Sequence, residues 1–333
     1  MTPLPHQHPP MPDQLLVFAA PEADARLAVC VAPKLAREAA GRHALAPGSA
    51  SALAQALAGT VLLAASDRGP PQARVDVQLE CGGPLKGLLT DADGSGAVRG
   101  LVRVNGLDRS GARAAAAGEP RPGESLRRFD PRPLFATGLD ERAGVLSIVR
   151  AEPGSDQLHR AAFPFAGADL GAALTLFLRN DRARGGEMAL EVLFRPGEPL
   201  AAVAGALLWA QGEEGADELR ALGKPLRQRV LHESLLRVES GEASGDARAL
   251  AEELARALRL GPLQLEGEVK PRFACRCSRE RVVRALATLA RDELRDMAAR
   301  DDGAEASCDF CGTRYGISAA ELLQLAGDGP LLA

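Results

Sequence analysis

Phe273-Ala274-Cys275-Arg276-Cys277-Ser278-Arg279-Glu280-Arg281 and, with thirty residues between Cys277 and its first cysteine, Cys308-Asp309-Phe310-Cys311-Gly312-Thr313-Arg314-Tyr315 are the stretches on which the reading of this chain turns. Residues i and i+2 of an extended segment point to the same side, so Cys275 and Cys277 can aim two sulfurs at one point. Cys308 and Cys311 can close on the same ion from a tight turn, with Gly312 permitting the bend. Four thiolates complete a tetrahedral zinc shell with no open position, which makes such a site structural or redox-sensing rather than Lewis-acidic. The expectation is one zinc ion per chain in the reduced state, held by Cys275, Cys277, Cys308 and Cys311.

Between the two pairs, Ser278 reads as a helix N-cap, and Val283, Leu286, Ala290, Leu294 and Met297 recur at spacings of three and four. The pattern predicts a single amphipathic helix of about twenty residues, with Met297 as packing rather than a ligand and Asp301-Asp302-Gly303 turning the chain back. Ser318 followed by Glu321 is a capping-box pattern opening a last helix to Leu325. A module with so few large apolar side chains depends on its metal. Structural zinc supplies on the order of 10–16 kcal/mol of apparent binding free energy, comparable to the whole stability of roughly 5–15 kcal/mol of a domain. A disulfide sulfur is no longer the anionic ligand the metal requires, so oxidation should convert order into disorder. Arg276, Arg279, Arg281 and Arg314 crowd the cysteines, and their charge would favour thiolates.

Upstream, eighteen of the fifty residues from Glu213 to Pro262 are charged. Short helical patterns (Leu219, Leu222, Leu226, Val230; then Leu250, Leu254, Leu258) are interrupted by Gly223-Lys224-Pro225 and by Ser240 to Gly245. Their narrow apolar stripes need docking on something larger, so this stretch reads as a conformational linker folded on the core when reduced.

The first two hundred residues mix strand and helix patterns, giving an α+β fold with a sheet-and-helix core. Arg26 to Ala32 and Arg74 to Glu80 read as strands, the latter with Val75, Val77 and Leu79 on one face. Pro33 to His43 and Pro47 to Ser66 read as helices, the second apolar on most sides and therefore buried. Turns at Gly82-Gly83-Pro84 and Asp91 to Gly96 frame a hairpin ending in a strand from Ala97 to Asn105. Gly106 to Pro133 reads as an exposed excursion, followed by strands at Gly144–Arg150 and His159–Phe165, a helix at Asp169–Asn180, and strands at Glu187–Arg195 and Ala201–Gln211. Cys30 and Cys81 read as small core hydrophobes. The expected organisation is a disordered tail at 1–12, a core at 13–212, a helical linker at 213–262 and a zinc-binding module at 263–333.

The chain has 333 residues, 46% hydrophobic and 25% charged, with a net charge of -4 and 3% aromatics, which argues against a basic or stacking surface for nucleic acid. Its longest apolar run, Ala201 to Ala210, is too short to span a bilayer. Met1 to Pro12 lacks a cationic segment followed by an apolar one, so no export signal is read and a cytoplasmic location with reduced thiols is expected. His6 and His8 lack nearby partners and make no metal site. No catalytic constellation is present, so the chain reads as a non-enzyme without an organic cofactor.

At the cysteine stretches, and less strongly at Asp13-Gln14-Leu15, Gly82-Gly83-Pro84-Leu85 and Val98-Arg99-Gly100, the sequence resembles the heat shock protein 33 family, bacterial chaperones switched on by oxidation. The likeness spans nearly the whole chain after residue 12. It implies an ATP-independent holdase that is inactive when reduced and zinc-bound. Oxidation then releases zinc, unfolds the C-terminal module and destabilises the linker, and the exposed surface captures unfolding client proteins. The resemblance further implies homodimers in the oxidised state. It departs from the family pattern at His159-Arg160-Ala161-Ala162-Phe163-Pro164 and at Asn180-Asp181-Arg182. When zinc leaves, closing Cys275 to Cys277 and Cys308 to Cys311 costs less loop entropy than cross-links between the pairs, and the turn at Cys308 to Cys311 should oxidise first.

Three rival functions are weaker. A zinc-ribbon nucleic-acid module would need a positive balance, but residues 275–333 hold eight Arg against ten Asp and Glu. A zinc hydrolase would need an open ligand position, and no His follows His232. A thiol-disulfide oxidoreductase at Cys308 and Cys311 would need a thioredoxin-like strand-to-helix setting.

Overall fold

A computed structural model describes residues 11–66, 73–110, 126–136, 144–151, 158–165, 169–180, 185–195, 197–210, 216–239, 246–300 and 303–327. The chain divides into two compact units, Met1–Phe273 and Ala274–Ala333. In chain order the first contains β1 (Gln14–Ala20), β2 (Ala25–Val31), α1 (Pro33–Arg42), α2 (Pro47–Ser66), β3 (Arg74–Cys81), β4 (Gly87–Asp93), β5 (Ala97–Val102), β6 (Arg127–Arg128), α3 (Arg132–Phe135), β7 (Gly144–Ala151), β8 (Leu158–Pro164), α4 (Leu170–Asn180), β9 (Gly186–Arg195), β10 (Glu198–Ala210), α5 (Ala216–Pro225), α6 (Leu231–Glu239), α7 (Ala247–Leu258), β11 (Gln264–Val269) and β12 (Arg272–Phe273). The second contains α8 (Arg279–Leu286), α9 (Arg291–Arg300), β13 (Gly303–Ser307), β14 (Arg314–Ser318) and α10 (Ala319–Leu325).

Two six-stranded sheets, ordered β11-β1-β2-β10-β9-β6 and β12-β5-β4-β3-β7-β8, enclose α2. Leu53 of α2 approaches Gly100 in one sheet and Leu62 approaches Gly205 in the other, where glycine leaves room for each side chain. α2 is long and apolar enough to cross a membrane, but it is buried here along nearly its whole length as the centre of the core. Its polar Thr60 is satisfied by the Ala56 carbonyl and by a 2.6 Å hydrogen bond with Thr90, both threonines being buried. β3 alternates as its sequence requires, with Val75, Val77 and Leu79 facing inward. The Asp13 carboxylate accepts from the N–H groups of Lys34 and Leu35 at 2.8 and 2.7 Å, satisfying the first turn of α1.

β10 is buried at nearly every position because its sheet is covered on both faces. One face meets α2; the other carries α5, α6 and α7 through Leu219, Leu226, Val230, Leu231, Leu235, Leu250 and Leu254. Gly223-Lys224-Pro225 does not interrupt this helical run. Pro225 lacks an N–H and its ring crowds the preceding turn, and the chain responds with a π-turn over Leu226–Val230 before α6. The expected break at Ser240 to Gly245 lies outside the described residues.

Other expectations shift. β11 pairs antiparallel with β1, and β12 pairs parallel with β5, so residues 264–273, grouped from sequence with the metal module, complete the sheets of the first unit. Met11, grouped with the tail, is buried against the β1–β2 face. The Gly106 to Pro133 excursion buries Leu107 and Phe129, whose apolar side chains favour the core over solvent; residues 111–125 lie outside the described ones. The helix expected between the cysteine pairs is two. Thr288 turns its hydroxyl onto the Ala285 carbonyl at 2.7 Å, and tight i to i+3 bonds to Ala285 and Leu286 close α8 before α9 begins.

Candidate metal centre

The second unit is small, and its buried cluster consists of Leu294, Ala298, Ile317, Leu322 and Ala326, with Val282, Val283, Leu286 and Met297 packed at its edge. β13 and β14 form a hairpin in register from Gly303 opposite Ser318 to Ser307 opposite Arg314. The second cysteine pair occupies its turn. The Gly312 N–H reaches the Cys308 carbonyl at 2.8 Å and the Cys308 N–H reaches the Thr313 carbonyl at 2.9 Å. Gly312 sits at φ 70, a conformation glycine adopts without strain. The first pair lies in the non-helical segment before α8, which Ser278 caps by accepting from the Arg281 N–H.

The four sulfurs of Cys275, Cys277, Cys308 and Cys311 lie within 4.8 Å of one another. Cys275 and Cys308 approach to 3.6 Å, Cys277 and Cys311 to 3.4 Å. A Zn–S bond of about 2.3 Å implies an edge of about 3.8 Å between sulfurs of a tetrahedron, so the separations and the donor set fit a thiophilic metal ion. Cys30 and Cys81 belong to the first unit and are both buried. His6 lies outside the described residues, as does His8.

Burial pushes the Cys308 thiol up to about 12 and raises Cys277 as well. At Cys311 burial also opposes ionisation, but hydrogen bonds with the Thr313 hydroxyl and N–H, and with Cys277 and Cys275, hold it down at about 6. A metal cation would supply the charge that stabilises the remaining thiolates, with release of their protons.

Three of the four arginines thought to favour thiolates have other partners: Arg279 bonds to Glu321 at 2.7 Å and to the Gly316 carbonyl, Arg281 donates to the Arg276 carbonyl at 2.8 Å, and Arg314 pairs with Glu305. Arg279 thereby ties the start of α8 to the cap of α10. There Ser318 and Glu321 form the expected capping box, and the Ser318 N–H, with Arg279, holds the Glu321 carboxyl at about 2. Two further groups touch the sulfurs without having been singled out from sequence. The Thr313 hydroxyl lies 3.2 Å from Cys311 Sγ, and the Tyr315 hydroxyl donates to Cys277 Sγ at 3.0 Å. That bond raises the Tyr315 phenol to about 12. The signal available was strand alternation after the knuckle, which puts Thr313 and Tyr315 on one side.

Sequence reading also missed polar anchors beneath α5 and α6 in the first unit. Glu187, almost wholly buried on β9, pairs with Arg179 and, at 2.6 Å, with Arg227 of the π-turn. A Cβ on Gly223 would fall 1.8 Å from the Glu187 carboxylate, so only glycine lets α5 pass. Glu191, also buried, faces Arg128 at 2.9 Å and His232 at 3.4 Å, and Arg128 donates to the Arg227 and Gln228 carbonyls.

A family model described as Hsp33 protein matches residues 13–318. The 33 kDa chaperonin of Synechocystis is 32% identical over 323 residues, covering 96% of this chain and 97% of that relative. That of Thermus thermophilus is 29% identical, covering 95% and 87%. Among solved structures, the crystal structure of the 33 kDa chaperonin (heat shock protein 33 homologue) of Thermotoga maritima matches with a TM-score of 0.70 over 95% of this chain and 98% of that one; at 19% identity this is a likeness of fold.

Proposed function

The chain belongs to the Hsp33 family, and from that membership and the thiolate cluster we propose that it is a redox-regulated, ATP-independent holdase. The observation that carries the reading is the placement of four cysteine sulfurs within 4.8 Å of one another in a unit whose described residues bury very few large side chains. In the reduced state Cys275, Cys277, Cys308 and Cys311 hold one zinc ion, and the metal bonds supply most of the order of residues 274–327. On oxidation each pair gives up two electrons to the oxidant: with hydrogen peroxide, two thiolates become one disulfide and two hydroxides leave.

Closure within each pair, Cys275 to Cys277 and Cys308 to Cys311, is favoured by the short loops, and it removes the anionic ligands together. The linker helices 216–258 then lose their hold on the β9–β10 face. The apolar surface so uncovered binds unfolding client proteins, in the cytoplasm, and the oxidised chains associate as dimers. The reading requires neither nucleic acid nor a membrane, and it assigns no catalytic residue.

The test measures zinc content and suppression of a model protein's aggregation before and after peroxide treatment. The expected result is about one zinc per reduced chain, loss of that zinc on oxidation, and suppression only afterwards. Suppression of aggregation that is equal in both states, or a reduced chain without zinc, would overturn the reading.

A further inference from the structure

Tyr315 is the single tyrosine of the chain. On β14, opposite Ala306, it belongs to the hairpin of the second cysteine pair, yet its hydroxyl donates to a sulfur of the first pair, Cys277, at 3.0 Å. Four thiolates around a divalent cation leave an excess of negative charge. A hydroxyl aimed at one of them disperses that charge, fixes the sulfur's position and ties up an electron pair that an electrophile would otherwise reach.

We propose that the Tyr315 hydroxyl is a positioning group that slows oxidation of Cys277 and thereby sets how readily the chain gives up its metal. The proposal deepens the redox reading above and rests on it. In the step concerned, a sulfur lone pair of Cys277 attacks one oxygen of hydrogen peroxide. The S–O bond forms, the O–O bond breaks and hydroxide leaves, giving the sulfenic acid. The thiolate of Cys275 then attacks that sulfur, forming the S–S bond and expelling a second hydroxide, so two electrons in all pass from the pair to the peroxide. The hydrogen bond from Tyr315 competes for the electron density that the first attack spends, and the cost of giving it up during that attack adds to the barrier. Thr313 bonds Cys311 from two residues away in the same turn, whereas Tyr315 links the two cysteine motifs, so its loss also frees Cys277 to move.

Two changes alter the hydroxyl in opposite directions. Tyr315→Phe keeps the ring and removes the donor. Biosynthetic replacement of tyrosine by 3-fluorotyrosine strengthens the donor, and in this chain it alters no other residue. The readouts are the rate of zinc release under excess hydrogen peroxide, followed with a chromophoric chelator, and the sulfur-to-metal charge-transfer band of the cobalt-loaded chain. The expected result is release roughly tenfold faster for Tyr315→Phe, slower release for the fluorinated chain, and a band moved to lower energy in Tyr315→Phe. If Tyr315→Phe does not load metal, the fluorinated chain decides, and an unchanged release rate there overturns the proposal. Equal rates and an unmoved band in both altered chains overturn it too, while leaving the redox reading intact. A wild-type chain that keeps its zinc through peroxide overturns the redox reading and this proposal together.

Discussion

Around α2, the side chains of Leu53, Leu57, Val61, Leu62 and Leu63 are essentially inaccessible between two sheets, whereas among its described residues the cysteine unit buries three large aliphatic side chains, Leu294, Ile317 and Leu322, in a cluster with two alanines. The first region is held by apolar burial, with each buried Leu or Val contributing about 1.5–3 kcal/mol. The second has too little of that term, and on the proposed reading its stability rests on four metal-bound sulfurs. Apolar burial is indifferent to redox state, while thiolate ligation is abolished by it. The difference teaches how one chain can carry a permanent scaffold and a conditional one. Between them in sequence, α5 to α7 join apolar burial to a buried ion pair: leucines on the β9–β10 face, and Arg227 set on buried Glu187.

The largest expected effect strikes the conditional region. Cys277→Ser or Cys308→Ser should cost most of the metal's contribution, on the order of 10 kcal/mol, and make residues 274–327 protease-sensitive while the first unit stays resistant. Undiminished zinc in both variants would break the comparison. In the scaffold, Leu62→Ala should cost about 2–5 kcal/mol in chemical denaturation of the first unit and leave zinc content unchanged.

Arg227→Met should cost about 2 kcal/mol, because Glu187 keeps only Arg179, and it should appear as faster hydrogen exchange across 216–239. No change there would mean the leucines alone hold the linker helices. The smallest effect depends on pH. Asp76 of β3 lies opposite Asp91 of β4, and burial together with Asp91 pushes its carboxyl up to about 6. The folded state therefore holds the proton more tightly than the unfolded chain, and the stability this confers is present below about 4 and lost as pH rises through about 6. Asp76→Asn should stabilise the first unit at pH 7 by less than about 1 kcal/mol after solvent screening, with the advantage vanishing towards pH 4. An equal gain at both pH values would contradict it.

The clustering of the four cysteines was legible because metal-ligand chemistry is written in residue type and spacing, and α2 because an apolar run of that length has no other place to go. The buried alternation of β3, the caps at Ser278 and Ser318, and the burial of Cys30 and Cys81 were equally local signals. Other elements left weaker marks. β1, Gln14–Ala20, is apolar without a break from Leu15 to Ala20 because its sheet is covered on both sides, so it lacks the alternation that marks a strand. β13 is built of small residues whose pairing depends on β14. Glu187 and Glu191 sit in an otherwise apolar strand, and only the arrival of Arg227 and His232 from the linker shows why carboxylates stand there. The return of β11 to β1 joins residues some 250 positions apart in sequence, a pairing no local pattern encodes.

The most direct test of the central claim is hydrogen exchange on the full chain, compared between the zinc-loaded reduced state and the peroxide-oxidised state. The account predicts that protection collapses across 274–327, falls in 216–258, and persists in α2 and β2. Retained protection in 274–327 after the thiols have been oxidised would contradict it.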